Sequence, residues 1–434
     1  MSVVDRFEHD DDRSRKHISM NSTETKQAAA LLDYLQPGMR VYVPGSTGEP
    51  RAALEILASA PERCAGVEFI TSFLPGINTF DLGLLGPEAR FTAFFMQPSL
   101  KQAAEEGRVY FPDKSYSGIA QWLADQPVDL ALATVCPAHD SKLLGLGPAV
   151  EFTPIALEGA AVKVAVSNRQ IPWLPGSIHY DPDTFDLIIE GNRPPPVYTD
   201  PQPSTIYTRI GALVAELVPD GATLQTGLGQ APAAVLDALT DRRDLNLHTG
   251  VFSDSLLRLA AAGAFRSASV MTSGVAVGTS EFYENLPEFP DITYAPVSKT
   301  HSAEVLDSLP RFFVVNSALE VDLQGNINAE FLNNRRISGR GGLPDFATAG
   351  HRSSDGASII VLPSTDRSGR HSRIVGQLSS IATVKGGEID YVITEQGCAC
   401  LTGQSATERA KAMLAIAAPK HRKRLNQIYE SLTT

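Results

Sequence analysis

The segment SGRGGLPDF at 338–346 combines residue types that suit anion chemistry. Gly339, Gly341 and Gly342 surround Arg340. Successive backbone amides in such a turn can form a concave site that accepts an oxyanion, and the guanidinium of Arg340 can hold a carboxylate or a phosphate beside it. The alternative is a flexible glycine hairpin with a solvated arginine. The segment is therefore a candidate site for a negatively charged group.

A second candidate anion site is GLGQAP at 227–232, between a predicted strand and a predicted helix. Gly227 and Gly229 allow backbone amides to approach a ligand closely, and Gln230 follows them. Pro232 suits the first turn of a helix, whose N-terminus attracts a phosphate or carboxylate. The third glycine of a GxGxxG dinucleotide fingerprint is missing. A tight turn without a ligand is the alternative.

Two further segments place polar residues at strand ends. Asn316 ends the predicted strand in VVNSALE, where its amide could donate to a developing oxyanion or simply cap a turn. The stretch LNLHTGVFSD delivers Gly250, which has no side chain, to the same kind of position. His248 on that strand is either a buried structural residue or a general base, and Asp254 on the following loop is a second candidate base.

The elements that must position these residues alternate along the chain. Apolar runs such as PVDLALATV at 127–135 and AAVKVAVSN at 160–168 lie between helical patterns, which favours parallel sheets covered on both faces. Ligands of open α/β sheets bind at the carboxyl ends of strands, so 226–230 and 249–254 are expected on one rim. We predict the α/β fold class, with two open, mainly parallel α/β domains facing across a cleft.

Composition sets the predicted domain boundaries. Five prolines between Pro194 and Pro203 stiffen the chain and block regular structure. We predict a disordered polar tail at 1–22, an α/β domain at 23–193, a proline-rich linker at 194–203 and a second α/β domain with the ligand site at 204–434. A long amphipathic helix is expected from about Thr407 to the end.

Charge and composition also narrow the function classes. The net charge of −12 gives no electrostatic support to nucleic-acid binding. Apolar runs stay short of the roughly 18 residues of a membrane span, and the charged start lacks a signal-peptide core, so we expect a cytoplasmic protein without a membrane partner. The histidines and cysteines lack metal-ligand spacing, and no GxSxG elbow is present, so neither a metal site nor a serine hydrolase is expected.

Taken together, the motifs resemble the acetyl-CoA hydrolase/transferase family, which includes CoA-transferases of the 4-hydroxybutyrate and acetate:succinate types. The resemblance rests on GATLQTGLGQAPAAVLDAL, LNLHTGVFSD, VVNSALEVDLQGNINAE and SGRGGLPDF, and extends to DLALATVCPAHD and VITEQGCACLTGQSATERAKAMLAIAAP. It implies two domains of CoA-transferase type with the CoA thioester at the cleft. It also implies coenzyme A or acyl-CoA and a small carboxylate as substrates, no metal, and a homodimer.

For the chemistry, the resemblance implies ping-pong exchange of coenzyme A. An active-site glutamate of the family attacks the acyl-CoA and becomes a glutamyl-CoA thioester, which a second carboxylate then accepts. That glutamate belongs in the segment that here is His248-Thr249-Gly250. The resemblance therefore implies that the family's nucleophile is replaced by Gly250.

The other functional positions of the family map onto glycines and one asparagine. Its oxyanion groups map to Gly341, Gly342 and Asn316, and its glycine loop beside CoA maps to Gly227 and Gly229. The sequence departs from the family pattern close to these positions. Leu343-Pro344 stand where glutamine is common, Arg340 stands where the family has a small or neutral residue, and Cys400 stands where it tends to have aspartate.

Three mechanisms are compatible with Gly250. The acyl group could pass directly to water or another acceptor, with His248 or Asp254 as the base. A substitute carboxylate could restore CoA transfer, with Glu281, Glu330 and Glu395 as candidates. The chain could also be a CoA-binding or regulatory protein without turnover. We expect an acyl-CoA-processing enzyme that activates a thioester for transfer of CoA or of the acyl group.

Overall fold

The computed structural model describes residues 22–289, 291–333 and 335–433. The predicted disordered tail lies outside the described residues except for Ser22, which begins the first helix. Within this part of the chain, no helix combines the length and the apolar character needed to cross a membrane.

The first half of the chain builds one sheet. Its strands are β1 (Arg40–Val43), β2 (Glu68–Thr71), β3 (Arg90–Ala93), β4 (Val109–Tyr110), β5 (Leu130–Pro137), β6 (Leu144–Gly145), β7 (Val162–Asn168), β8 (His179–Tyr180) and β9 (Leu187–Gly191). The order β4-β3-β2-β1-β5-β7-β9 is parallel, whereas β6 and β8 pair antiparallel beyond the end of β5. The first seven residues of β5 are buried, because helices cover both of its faces, which explains its continuous apolar run.

Helices of the first half pack on this sheet through apolar faces. They are α1 (Ser22–Tyr34), α2 (Arg51–Ser59), α3 (Lys101–Glu105), α4 (Tyr116–Asp125) and α5 (Thr153–Gly159). Helix α2 shows the pattern that forms them, since Ala53, Leu54 and Leu57 recur at helical spacing and are buried.

The second half builds a sheet of the same kind, with order β13-β12-β11-β10-β14-β19-β21-β22. The strands of this half are β10 (Thr223–Thr226), β11 (Asn246–Phe252), β12 (Met271–Ala276), β13 (Ile292–Tyr294), β14 (Phe312–Ser317), β15 (Glu320–Asp322), β16 (Ile327–Asn328), β17 (Phe331–Leu332), β18 (Arg335–Arg336), β19 (Ala357–Val361), β20 (Ile374–Val375), β21 (Tyr391–Thr394) and β22 (Gly397–Cys400). Its pairs are parallel except β21 with β22. The predicted α/β fold class is thus confirmed.

Helices of the second half follow the same alternation. They are α6 (Thr205–Ala215), α7 (Gln230–Ala238), α8 (Ser255–Ala261), α9 (Ser280–Asn285), α10 (Val297–Thr300), α11 (Ala303–Asp307), α12 (Leu343–Arg352), α13 (Ala406–Ile416) and α14 (Pro419–Thr433). The prediction of a single long C-terminal helix is wrong, because the structure has two helices there, separated by Ala417 and Ala418. Pro419 lacks a backbone N–H and disfavours helical geometry in the residue before it.

The proline-rich segment between the sheets is fastened to the second domain. The carbonyl of Pro196 accepts a hydrogen bond from the hydroxyl of Tyr283 at 2.7 Å. The carboxylate of Asp200 accepts from Ser253 Oγ at 2.8 Å and from the backbone N–H of Ser255 at 2.9 Å. The linker therefore has a fixed path, and the domain boundaries at 193 and 204 stay a prediction.

The two domains also share apolar contacts and main-chain hydrogen bonds. One hydrophobic cluster contains buried residues of both, among them Phe152 from the first and Phe252 from the second. The N–H of Tyr116 donates to the carbonyl of Gly341 at 3.0 Å, and the N–H of Val150 donates to the carbonyl of Gly274 at 3.0 Å. These contacts set the geometry of the cavity between the domains.

Candidate active site

A cavity of about 480 Å³ lies where the domains meet, at the carboxyl ends of β10, β11 and β14. Six of the ten predicted site residues line it, namely Gly227, Gly229, Gly250, Asn316, Gly341 and Gly342. Two cavities of larger volume, about 620 and 650 Å³, lie beside the linker, and none of the ten predicted residues lines them. The residues chosen from the sequence thus converge on the smaller cavity, which we take as the candidate site.

At the position predicted for the family's glutamate, the cavity contains an imidazole. A β-carbon built on Gly250 would lie 3.2 Å from Cε1 and 3.4 Å from Nε2 of His301. His301 follows α10, and its side chain also lines the cavity although the residue is only 2% exposed. Its Nδ1 lies 2.9 Å from Thr300 Oγ1. Burial, aided by the nearby charge of His248, lowers the pKa of His301 to about 3, so the ring is neutral at pH 7.

Backbone conformation requires a glycine at one position of each of the two turns. Gly229 has a φ of +117° and Gly341 a φ of +58°, which are conformations that side chains disfavour. A β-carbon on Gly342 would collide with His301 Nε2. By contrast, a β-carbon on Gly227 or Gly229 would meet no atom within 4 Å, because both face open space. The 341–342 turn is therefore packed, and the 227–229 loop is open to a ligand.

Asn316 reaches the cavity from the end of β14, and a neighbouring glutamine holds its side chain. Its Nδ2 donates to Gln225 Oε1 at 2.8 Å. Gln225 is 3% exposed on β10, the strand beside β14. One N–H of the Asn316 amide is used in this way, and an amide nitrogen has a second to offer. The predicted oxyanion role of Asn316 is compatible with this geometry and stays a prediction.

Among the described residues that line the cavity, Glu151 is the one with a carboxylate side chain, and it was not predicted from the sequence. It is 6% exposed, and its Oε2 accepts a hydrogen bond from Ser72 Oγ at 3.1 Å. Burial raises the pKa of Glu151 to about 7, with the Ser72 hydrogen bond acting in the opposite direction. A carboxyl group that titrates near neutral pH therefore lies in the candidate site.

Two predicted bases lie outside the cavity lining. The Nε2 of His248 donates to the carbonyl of Thr300 at 2.9 Å, and the residue is 4% exposed. Asp254 accepts from Thr279, with 2.7 Å from Oδ1 to the hydroxyl and 3.0 Å from Oδ2 to the N–H. Neither residue lines the cavity, so the geometry does not support a role as base for either, and both assignments stay predictions. His248 is on the same face of β11 as Gly250 but two residues earlier, which places it roughly 7 Å further along the strand from the cavity.

Two predicted ligand-binding residues also have other partners. The guanidinium of Arg340 pairs with Asp113 at 2.8 Å and with Glu330 at 3.5 Å. The side-chain oxygen of Gln230 accepts from the N–H of Ser204 at 3.3 Å. Neither residue lines the cavity, so the structure does not bring them to the candidate site. Arg340 instead forms ion pairs with both domains, since Asp113 belongs to the first domain and Glu330 to the second.

The three carboxylates predicted as substitutes for the family's glutamate do not line this cavity either. Glu330 is 1% exposed and pairs with Arg336 at 2.7 Å. Glu395 accepts hydrogen bonds from the N–H and the hydroxyl of Ser364. Glu281 lies in the first turn of α9. Two of the three are thus occupied by partners within the second domain, and the cavity obtains its carboxylate from the first.

One of the missed residues had a signal in the sequence. Glu151 interrupts the apolar segment PAVEF, and a lone carboxylate among apolar residues marks a buried ionisable group. His301 lies in the polar segment SKTHS, which has no comparable signal. Among the residues that the structure describes, no group of three or more histidine, cysteine, aspartate or glutamate side chains is arranged to hold a metal ion.

Comparison with known proteins assigns the chain to a family. Residues 8–197 match the acetyl-CoA hydrolase/transferase N-terminal domain, and residues 278–429 match the C-terminal domain of the same name. The chain is 32% identical over 412 residues to the succinyl-CoA:cyclohexane-1-carboxylate CoA transferase of Geobacter metallireducens, covering 92% of this chain and 93% of that protein. It is 31% identical over 419 residues to the succinyl-CoA:acetate/propanoyl-CoA:succinate CoA transferase of Fasciola hepatica, covering 91% and 85%.

The fold matches a solved structure from the same group of proteins. The crystal structure of 4-hydroxybutyrate CoA-transferase from Porphyromonas gingivalis superposes with a TM-score of 0.77 at 27% identity, covering 94% of this chain and 97% of that one. The two-domain α/β architecture is therefore of CoA-transferase type. With both domains matched in order and a relative of similar length, the chain belongs to the acetyl-CoA hydrolase/transferase family.

Proposed function

We propose that the protein processes an acyl-CoA thioester at the cavity between its domains and passes the acyl group directly to an acceptor. The observation that carries this proposal is the position of Gly250, which lines the cavity without a side chain. By the resemblance in sequence, the family's glutamate is expected at this position. A covalent glutamyl-CoA intermediate on β11 then has no residue to form on.

The remaining groups of the cavity support activation of the thioester carbonyl. The turn that contains Gly341 and Gly342 and the amide of Asn316 come from different segments and meet at the same cavity. Preorganised N–H donors of this kind stabilise the oxyanion of a tetrahedral intermediate, and one such donor typically contributes about 10²–10³ in rate. Acyl transfer can therefore proceed without a covalent intermediate.

Apolar side chains of the lining favour a neutral acyl group. Phe95 from the first domain and Leu228, Val251, Leu343 and Phe346 from the second line the cavity. The carboxylate of Glu151 would repel an acyl chain that ends in a second carboxylate. The proposed substrates are thus acyl-CoAs with an apolar acyl chain, and the open loop of Gly227 and Gly229 is the proposed contact for the coenzyme A moiety. A cytoplasmic location and a dimeric state stay predictions.

A two-arm assay tests this function. The purified protein is mixed with a panel of acyl-CoAs, with and without acetate or succinate, and free thiol and newly formed CoA thioester are measured together. Thiol release from neutral acyl-CoAs without thioester exchange is the expected result. Exchange by the unaltered chain would show a covalent route and overturn direct transfer.

The variant Gly250→Glu combined with His301→Ala is the control for the scaffold, because the imidazole is within 3.2 Å of the new side chain's β-carbon. If the unaltered chain binds CoA but is silent in both arms, and exchange appears only in the double variant, the protein is a CoA-binding homologue without turnover. That result would replace the proposed function.

A further inference from the structure

Glu151 combines a position in the candidate site with an unusual backbone conformation. It lines the cavity between the domains and has a φ of +37°, in the left-handed region that non-glycine residues rarely adopt. Such strain persists only where the surrounding contacts fix the backbone, and it concentrates at functional sites. The residue is therefore held at the cavity at a cost in backbone strain.

Hydrogen bonds from the second domain fix this backbone. The N–H groups of Val150 and Glu151 both donate to the carbonyl of Gly274, at 3.0 and 3.4 Å. The carbonyl of Glu151 accepts from the N–H of Val297 at 2.9 Å. Gly274 lies opposite Gly250 in the sheet, since the residues on either side of each are register partners. Glu151 is thus anchored on the strand next to Gly250.

The side chain of Glu151 is oriented by the hydroxyl group of Ser72, which donates toward the carboxylate. Ser72 Oγ accepts from the N–H of Gly45 at 2.9 Å, so its hydroxyl proton is free to point to Glu151 Oε2 at 3.1 Å. Among the described residues, Ser72 is the one side chain with a hydrogen bond to this carboxylate. The second oxygen, Oε1, is thus available for a molecule in the cavity.

The neighbouring titratable groups do not change charge in the pH range in which Glu151 titrates. The two tyrosines stay protonated there, and the histidine stays neutral. Tyr42 on β1 and Tyr116 on α4 have pKa values raised above the usual 10, by burial first and then by the charge of Glu151. His301 after α10 has its pKa lowered to about 3 by burial. Glu151 is therefore the group of this cluster that changes charge near pH 7.

We propose that Glu151 is the general base that activates the acyl acceptor, which is water or a neutral hydroxyl compound, for attack on the thioester beside Gly250. The proposal rests on the proposed function, because it supplies the base that direct acyl transfer needs. His301 is less suited to this role, since a ring that stays neutral down to about pH 3 is a weak proton acceptor.

The step balances in protons and electrons. The Glu151 carboxylate takes a proton from the acceptor O–H as the acceptor oxygen bonds to the thioester carbon. The carbonyl electron pair moves to oxygen, which the N–H donors of the cavity stabilise. When the carbonyl re-forms, the C–S bond breaks, and the departing thiolate takes the proton back from Glu151. The products are the acid or ester and free coenzyme A.

Glu151→Gln tests the proposal, because it keeps the shape and the bond to Ser72 but removes the base. With the neutral acyl-CoA that gives the fastest thiol release, kcat is expected to fall by at least about 100-fold with little change in KM. The wild-type rate should rise with pH and level off above about 7, whereas the residual rate of the variant should lack this rise. Glu151→Asp should keep the pH dependence at a reduced rate.

A matched control neutralises another buried carboxylate of the same domain. Glu49 is 8% exposed, lies outside this cavity and is held by Arg51 and Asn78. Equal losses of kcat in Glu49→Gln and Glu151→Gln, or an unchanged pH profile in Glu151→Gln, would overturn the proposal. So would a CoA adduct on Glu151 in the mass spectrum of the quenched protein, because the residue would then be a nucleophile. Absence of thiol release by the wild type would instead refute the proposed function.

Discussion

The imidazole of His301 lies against Gly250, with Cε1 3.2 Å and Nε2 3.4 Å from an ideal β-carbon at that glycine. Gly342 faces the same ring and leaves room for it on the other side. The absence of a side chain at 250 and the position of the imidazole are therefore features of one packed cluster. A side chain introduced at position 250 would require the ring to shift by a few tenths of an ångström.

Gly250→Ala should destabilise the protein through this contact. The added methyl group would lie 3.2 Å from His301 Cε1, and overpacking of this kind costs about 1 to 3 kcal/mol in the free energy of unfolding. In a His301→Ala background the same substitution should cost less, because the ring is gone. Urea denaturation of the two single variants and the double variant measures the coupling. Strictly additive losses would show that the two residues do not interact.

Asn316→Ala should impair turnover far more than binding. If its amide donates to the oxyanion, kcat should fall by about 10²–10³ while the affinity for coenzyme A, measured by calorimetry, stays the same. Gln225→Met is the companion variant. It leaves the Asn316 amide in place but removes the oxygen 2.8 Å away that holds it, so a smaller loss is expected. Equal losses of turnover and CoA affinity in Asn316→Ala would remove the oxyanion assignment.

Arg340→Met should affect stability and not substrate choice. The guanidinium lies 3.5 Å from Glu330, whose side chain is 2% exposed, and loss of this contact is expected to cost about 1 to 2 kcal/mol, because Glu330 keeps its bonds to Arg336 and Thr383. Asp113→Asn removes the other partner, which is 61% exposed, and should cost under about 1 kcal/mol. Thermal unfolding and rates with neutral and acidic acyl-CoAs are the measurements. A selective loss with acidic substrates would place Arg340 in substrate binding after all.

Glu151→Gln should gain stability relative to the wild type as pH rises. Burial raises the pKa of Glu151 from 4.5 to about 7, so between these values the folded protein holds a proton that the unfolded chain has released. Wild-type stability therefore falls with rising pH in this window through this group. At about 1.4 kcal/mol per tenfold change in proton affinity, the full effect is on the order of 3 kcal/mol.

The measurement is the difference in unfolding free energy between Glu151→Gln and the wild type at about pH 5 and pH 8. The opposite trend from His301, whose lowered pKa makes stability fall as pH drops below 6.5, is common to both proteins and cancels in the difference. A difference that is constant with pH would show that Glu151 has an ordinary pKa.

Local sequence patterns predicted much of the fold and part of the site. Apolar runs without a polar face predicted the buried strands β5 and β7, because burial on both faces leaves no position for polar residues. Closely spaced glycines predicted the two turns, because backbone conformation is a property of a few consecutive residues. The prediction failed just before Pro419, where the apolar periodicity continues but the helix is interrupted.

The partners of individual side chains were decided by the tertiary structure alone. The alternation of β11 puts His248 on the face of Gly250, yet only the packing of α10 shows that its ring donates to Thr300. Arg340 has the chemistry of an anion ligand, yet its anions are Asp113 and Glu330. Glu151 and Gly250 lie about a hundred residues apart in the chain and meet because two domains join there. Periodicity and turn chemistry act over a few residues, whereas a cavity is formed by residues far apart in sequence, so its composition follows from packing.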